Sequence, residues 1–306
     1  MKSSLLAVSG VLALVVTAAC SGSSGAVVAS SGADAATGAE PTDPLAGADG
    51  GAPVTDGSAP PPPTASPGCG KPGGATGLQQ KKITVLGAAR QYQLFVPPAY
   101  DAAKPTRLVF VFHGLGGDGD QIRAYFGFEA EAKGQALFVY PDGLAQAAQG
   151  GRTGWAQSDL SFFDALLAEI SSSHCVDKKR VFAAGHSFGA YMSNLVGCER
   201  ADVVSGIAPV SGGLVAAGAC KGAVAAWVAH GDRDATVPQS EGITARDQWV
   251  TANGCASTTK AISPSPCVGY DGCTAGHPVT WCSFSGGHFP LPAFTKQAIW
   301  DFFAAR

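Results

Sequence analysis

From residue 81 onward, apolar positions fall into short alternations and continuous runs separated by glycine-rich or polar stretches. Lys81–Leu86 and Arg90–Val96 alternate and flank Gly87-Ala88-Ala89, which predicts a β-hairpin ended by Pro97-Pro98. Leu108–Phe112 and Ala136–Tyr140 are unbroken apolar runs of the kind found in buried parallel strands. Between them the pattern predicts a helix from about Asp120 to Lys133, closed by Gly134. Pro141–Gln157 reads as a loop holding Trp155. Asp159 is placed to cap a helix with Leu160, Phe163, Leu166, Leu167 and Ile170 on one face. Val181–Ala184, Val203–Val210, Val224–Ala229 and Val279–Phe284 complete the strands. Helical patterns follow Ser187, span Glu241–Asn253, and close the chain with Phe294, Ile299, Trp300 and Phe303. Strands alternating with helices predict an α/β fold: a mainly parallel central sheet, helices on both faces, and the hairpin antiparallel at one edge.

The first 68 residues do not share this pattern. Leu5–Val16 is apolar after Met1-Lys2 but too short to span a bilayer, and Thr17-Ala18-Ala19 precedes Cys20. This predicts a secretory signal over residues 1–20. Small residues before a cysteine resemble a lipoprotein cleavage site, which makes Cys20 the candidate lipidation site. An ordinary signal peptide with an incidental cysteine is the alternative. Residues 21–68 are mostly Gly, Ala, Ser, Pro, Thr and acidic residues, without an aromatic side chain. Such a segment cannot offset its ordering entropy by burial and reads as a linker. The folded domain is therefore expected over residues 69–306.

The chain has 306 residues, is 46% hydrophobic and carries a net charge of −3. The five acidic residues of the linker more than account for that charge, so the domain is near neutral, at about +1, and nucleic acid is not an expected partner. A membrane contact is expected only through a lipid at Cys20, and the domain is expected to be a monomer. Of nine cysteines, eight remain after Cys20: Cys69, Cys175, Cys198, Cys220, Cys255, Cys267, Cys273 and Cys282. An even number in an exported chain points to disulfides. Zinc fits poorly, because there is no Cys-x-x-Cys and no paired histidine nearby.

The candidate chemistry sits at Gly185-His186-Ser187-Phe188-Gly189, between a strand and a helix. A serine hydroxyl is a weak nucleophile and needs an exposed position on a tight bend where a base can reach it. Among six histidines, His288 alone comes last and follows a strand through a flexible Ser285-Gly286-Gly287 segment. It is the candidate base. The acid should leave the strand ending near Ala229, where Asp232 and Asp234 both qualify. Asp234, farther into the loop, is preferred, and Asp232 is read as a turn residue. His113-Gly114-Leu115-Gly116-Gly117 follows the first central strand. It offers the Leu115 N–H as an oxyanion donor beside the Phe188 N–H. His113 is expected to hydrogen-bond within that loop.

Taken together, GCGK at Cys69, RQYQLFVP at Arg90, FHGLGG at Phe112, GHSFG at Gly185, HGDRD at His230, GHPVTW at Gly276 and GGHFP at Gly286 resemble the secreted feruloyl esterases. The related polyhydroxybutyrate depolymerases and acetylxylan esterases share much of the set. The resemblance implies an α/β-hydrolase fold, a Ser187–Asp234–His288 triad, no cofactor, and hydroxycinnamate esters of plant cell-wall polysaccharide as substrates. A polyester or acetylated xylan is the alternative substrate. Closeness and the resemblance together suggest the pairs Cys198–Cys220 and Cys255–Cys273, leaving Cys69–Cys175 and Cys267–Cys282. Trp155 matches a tryptophan near the site in that family, and two readings of it stay open: a wall of an aromatic pocket, or a core residue. Phe289, beside the candidate base, is a second candidate substrate contact. A peptidase on the same fold and a non-catalytic polysaccharide-binding lipoprotein are the other classes considered. The first lacks a separate domain to select peptides, and the second leaves a complete set of triad residues without a use.

Overall fold

The structure, a computed structural model, describes residues 64–72, 74–215 and 218–306. The expected signal segment, Cys20 and the linker as far as residue 63 lie outside these residues. In chain order the elements are β1 (Gly77–Val85), β2 (Ala88–Val96), β3 (Thr106–Phe112), α1 (Gly119–Phe126), α2 (Phe128–Ala132) and β4 (Ala136–Pro141). Then come β5 (Leu144–Gln146), β6 (Arg152–Gly154), α3 (Leu160–Ser173), β7 (Val176–His186), α4 (Phe188–Glu199), β8 (Gly206–Val210) and β9 (Ala225–Gly231). The chain closes with α5 (Gln239–Ala252), β10 (Thr259–Ala261), β11 (Cys267–Tyr270), β12 (Val279–Phe284) and α6 (Thr295–Ala304).

Ten strands form one sheet in the order β1-β2-β4-β3-β7-β8-β9-β12-β11-β10. The six central strands, β4 to β12 in that order, pair in parallel. Most of their residues are buried on both sides because helices cover both faces, which is why they read as continuous apolar runs. One core cluster joins the sheet to α3, α4 and α5 through Leu166, Met192 and Trp249. The other joins it to α1, α2 and α6 through Phe126, Phe128 and Phe303. The expected antiparallel hairpin β1–β2 lies at one edge. A second antiparallel pair, β10 and β11, closes the other edge beyond β12, where none was expected. Those two strands are short and, apart from Cys267, exposed or half-buried, so they carry no apolar run to announce them.

The helix expected over residues 120–133 is two helices, broken at Gly127, whose φ is 59°. Phe126 and Phe128 are both buried and stack at 4.7 Å. Two residues apart on one helix they would point about 200° apart, so both can face the sheet only if the helix breaks between them. Arg123 spans the break, donating from Nε and Nη2 to the two carboxylate oxygens of Glu129 at 2.6 and 2.8 Å. The stretch 141–157, expected to be a loop, contains the β5–β6 hairpin. Asp159 stands just before α3, but its carboxylate does not cap that helix. It pairs with buried Arg90 at 2.6 Å and accepts from the Ala156 N–H at 2.7 Å.

The folded unit also begins earlier than Cys69. Ala65 bridges to Asp177, and buried Ser66 donates to His174 O at 2.7 Å while accepting from the Val176 N–H at 2.9 Å. Four disulfides join Cys69 to Cys175, Cys198 to Cys220, Cys255 to Cys273 and Cys267 to Cys282, the pairing suggested above. Cys267 and Cys282 face each other in register on β11 and β12. Cys69–Cys175 ties the first described segment to the start of the strand that carries the candidate site.

Candidate active site

β7 ends at His186 and α4 starts at Phe188, so Ser187 occupies the bend between them. Its φ of 58° and ψ of −123° lie outside the regions that L-residues ordinarily populate. The bend is held by the Ser187 N–H donating to Val210 O at 3.0 Å. Both flanking glycines are required by close approach. A Cβ at Gly185 would lie 2.2 Å from Gly189 O, and one at Gly189 would lie 1.9 Å from Phe112 O. The local sequence therefore lifts one hydroxyl off the C-terminal end of the central strand, where it opens into a cavity of about 330 Å³.

His288 lines the same cavity. Its Nδ1–H donates to Asp234 Oδ2 at 2.6 Å, and both side chains are buried. The Thr236 and Val237 N–H groups each donate to Asp234 Oδ1 at 2.9 Å, so the carboxylate is fully engaged. Burial pushes the Asp234 carboxyl up. The hydrogen bonds from His288 and from the Val237 and Thr236 amides outweigh burial and hold it below the usual carboxylate range. Asp232 is elsewhere: its Oδ1 accepts from the Gly286 N–H at 2.9 Å, bracing the loop that carries His288. Arg233 adds a second brace from Nη2 to Ser285 Oγ at 3.1 Å.

The glycine-rich loop after β3 passes directly over the serine, since a Cβ at Gly114 would lie 3.3 Å from Ser187 Cβ. Nearly every other polar group of this loop is occupied. Trp155 Nε1–H donates to His113 O at 2.8 Å, His113 Nδ1–H to Gly114 O at 2.7 Å, and Arg152 Nη2 to Leu115 O at 2.9 Å. The Gly116 N–H donates to Thr153 O at 2.7 Å, and Thr153 Oγ1 donates to Gly117 O at 2.7 Å. Among the described residues, the Leu115 and Phe188 N–H groups have no protein acceptor. The β5–β6 hairpin is thus a clamp on the loop, reaching it through Arg152, Thr153 and the Trp155 that follows.

No family model matches the chain. It is 34% identical over 263 residues to feruloyl esterase C of Emericella nidulans, covering 78% of this chain and 91% of that protein. It is 31% identical over 269 residues to feruloyl esterase D of Neurospora crassa, covering 78% of this chain and 90% of that protein. The chain belongs to the feruloyl esterase family. Among solved structures it is similar to the acetyl xylan esterase from Aspergillus awamori, with a TM-score of 0.57 at 14% identity, covering 74% of this chain and 99% of that one. It is also similar to the feruloyl esterase module from Clostridium thermocellum, with a TM-score of 0.55 at 13% identity, covering 80% and 89%. At such identities these structures speak to the fold alone, which is that of the α/β-hydrolase esterases.

Within this feruloyl esterase fold, the two aromatic candidates part company. Trp155 is 5% exposed and packs edge-on against Phe112 at 5.2 Å, with its N–H committed to the His113 carbonyl. It is a core residue that holds the loop, and the expectation that it walls a substrate pocket is corrected. The reason is local: β6 returns the chain under the loop, so the indole enters the core rather than the cleft. Phe289 is 62% exposed and lines the cavity at Ser187 together with Phe188 and Tyr191. His113 bonds within its loop as expected, and it also accepts at Nε2 from the Gly143 N–H at 2.9 Å.

Two histidines gain roles that the sequence did not suggest. His186 Nε2–H donates to the carbonyl of His288 at 3.0 Å, tying the residue before the nucleophile to the backbone of the candidate base. Burial, aided by neighbouring His288, pushes its pKa down to about 3, so it stays neutral. His230 is fully buried and donates from Nε2 to Val237 O at 2.9 Å, with Asp234 Oδ2 at 3.4 Å. Their signal in the sequence was only adjacency to the serine and the acid.

Proposed function

We propose that this chain hydrolyses hydroxycinnamate esters carried on cell-wall polysaccharide, through an acyl-enzyme on Ser187. His288 Nε2 takes the Ser187 proton as Oγ attacks the ester carbon, and it then gives that proton to the departing alcohol. Asp234 keeps the other imidazole proton on Nδ1, so that Nε2 is free to accept. The Leu115 and Phe188 N–H groups receive the negative charge that develops on the carbonyl oxygen. A water activated by the same imidazole then releases the acid and restores the serine. The step needs no redox partner and no metal.

The observation that carries the substrate class is the 34% identity to feruloyl esterase C across 91% of that protein. The hydrogen-bonded pair Asp234–His288, in one cavity with Ser187, supports the mechanism. Export forms part of the same reading. Four disulfides fit an oxidising compartment, and residues 1–20 supply the signal, with lipid at Cys20 and residues 21–63 as a tether. The catalytic unit then runs from Thr64 to Arg306. The substrate class is tested by kcat/KM on methyl ferulate, acetylated xylan and a hydroxybutyrate oligomer. Methyl ferulate is expected to lead by at least about tenfold. A lead for the hydroxybutyrate oligomer would replace the reading with a depolymerase using the same residues, and a lead for acetylated xylan with a deacetylase.

A further inference from the structure

Arg152 lines the cavity that holds Ser187 and His288, and it is the sole arginine, lysine or carboxylate in that lining. Two contacts fix its guanidinium. Nη2 donates to Leu115 O at 2.9 Å. Nε and Nη2 lie 3.0 and 3.1 Å from where a Cβ on Gly116 would stand, so the group sits where only a glycine admits it. The loop that holds it is the one that passes over the serine. A Cβ at Gly114, one residue before Leu115, would lie 3.8 Å from Ser187 Oγ. The position of the charge is thus set by the same loop that faces the nucleophile.

That charge has no counter-ion in the fold. Arg90, Arg123, Arg180, Arg200, Arg233 and Arg246 each pair with a carboxylate. Among the described residues Arg152 pairs with none, although it is exposed at the cavity. Holding the loop uses one of its five N–H groups and none of its charge. A guanidinium presents two forks of paired N–H groups, and a single bond from Nη2 leaves one fork whole. A carboxylate matches such a fork with two parallel hydrogen bonds. The acyl half of a hydroxycinnamate ester carries at most phenol groups, which are neutral at pH 7. An anion that meets Arg152 therefore arrives with the alcohol half.

We propose that Arg152 binds a carboxylate on the alcohol half of the ester, so that the favoured polysaccharide carries a uronosyl residue close to the esterified sugar. The proposal rests on the hydroxycinnamate reading of the site. The test measures kcat/KM for ferulate esters of glycolate, 4-hydroxybutyrate and 6-hydroxyhexanoate, which set a carboxylate at increasing distance from the leaving oxygen. Each is compared with its neutral primary-amide twin, and methyl ferulate is the reference. The proteins are the wild type, Arg152→Gln and Arg152→Lys, with melting curves for each. The acid-to-amide ratio cancels any loss of activity from a loosened loop. For at least one spacer, the wild-type ratio at low salt should exceed that of Arg152→Gln by about three- to fivefold. Arg152→Lys, which keeps the charge without the fork, should fall between them. Raising NaCl to about 0.5 M should bring the wild-type ratio down to that of Arg152→Gln. Should Arg152→Gln not fold, the salt dependence of the wild-type ratio carries the comparison. Turnover of methyl ferulate with equal ratios in wild type and Arg152→Gln at every spacer overturns the carboxylate site alone. A wild-type ratio that salt leaves unchanged overturns it too. A wild type that does not hydrolyse methyl ferulate overturns the hydroxycinnamate reading and the carboxylate site with it.

Discussion

Replacing Asp234 with asparagine tests the acid through a single proton. Asp234 Oδ1 accepts from two backbone N–H groups, and Oδ2 accepts from His288 Nδ1–H. An asparagine has one oxygen and one NH₂ to divide between these sides. The orientation that keeps two hydrogen bonds places the oxygen toward Thr236 and Val237 and the NH₂ toward His288. That NH₂ can be satisfied only if Nδ1 loses its proton, which moves the proton to Nε2. An imidazole protonated at Nε2 cannot accept from Ser187. In serine proteases the same tautomer error costs about four orders of magnitude in kcat, and a comparable loss is expected here at neutral pH. Asp232→Asn is the control. Its Oδ1 accepts from the Gly286 N–H, and an amide oxygen can do the same, so a loss below about tenfold is expected. The assay is kcat on methyl ferulate and on a chromogenic acetate, with circular dichroism to confirm folding. An Asp234→Asn protein with more than a few per cent of wild-type kcat, or an equal loss at Asp232, would refute the reasoning.

Stability should fall as pH drops from 7 toward 5, because burial depresses the pKa of His113, His174, His186 and His230. The unfolded chain takes up protons on these residues below about 6.5, and the folded form takes them up only at lower pH. For His186, held near 3, this amounts to roughly 2 kcal/mol at pH 5. Chemical denaturation against pH should show it, and a flat profile would contradict it. Asp234, with its carboxyl held below the usual range, adds stability that is present above about pH 4 and lost only as pH falls further. Replacing both Cys69 and Cys175 by serine should cost more than replacing Cys267 and Cys282, since the sequence separations are 106 and 15. The chain-entropy difference is about 1–2 kcal/mol, read from denaturation midpoints, and the reverse order would point to native-state packing instead.

Much of the sheet was legible in the sequence because each central strand is buried on both faces and so appears as an unbroken apolar run. The order of serine, acid and histidine along the chain, each at a strand end, made those three residues legible as well. What escaped was set by tertiary contact. The break at Gly127 exists because Phe126 and Phe128 must both face the sheet, which a helical pattern does not reveal. The β5–β6 hairpin has only three residues per strand, and Arg152 and Thr153 hold it to the Gly114–Gly117 loop. Trp155 near a site reads equally as wall or core until the path of β6 is known. Asp159 looks like a helix cap, but Arg90, 69 residues away in sequence, draws its carboxylate into a buried pair.

The central claim is that Ser187 carries the acyl group. Mixing the enzyme with a ferulate ester, quenching in acid within the first turnover and mapping the peptides by mass spectrometry tests it directly. The account predicts a single feruloyl adduct on the peptide containing Ser187, trapped more strongly when deacylation is slowed and absent in Ser187→Ala. A feruloyl group on another serine, or full turnover by Ser187→Ala, would contradict it.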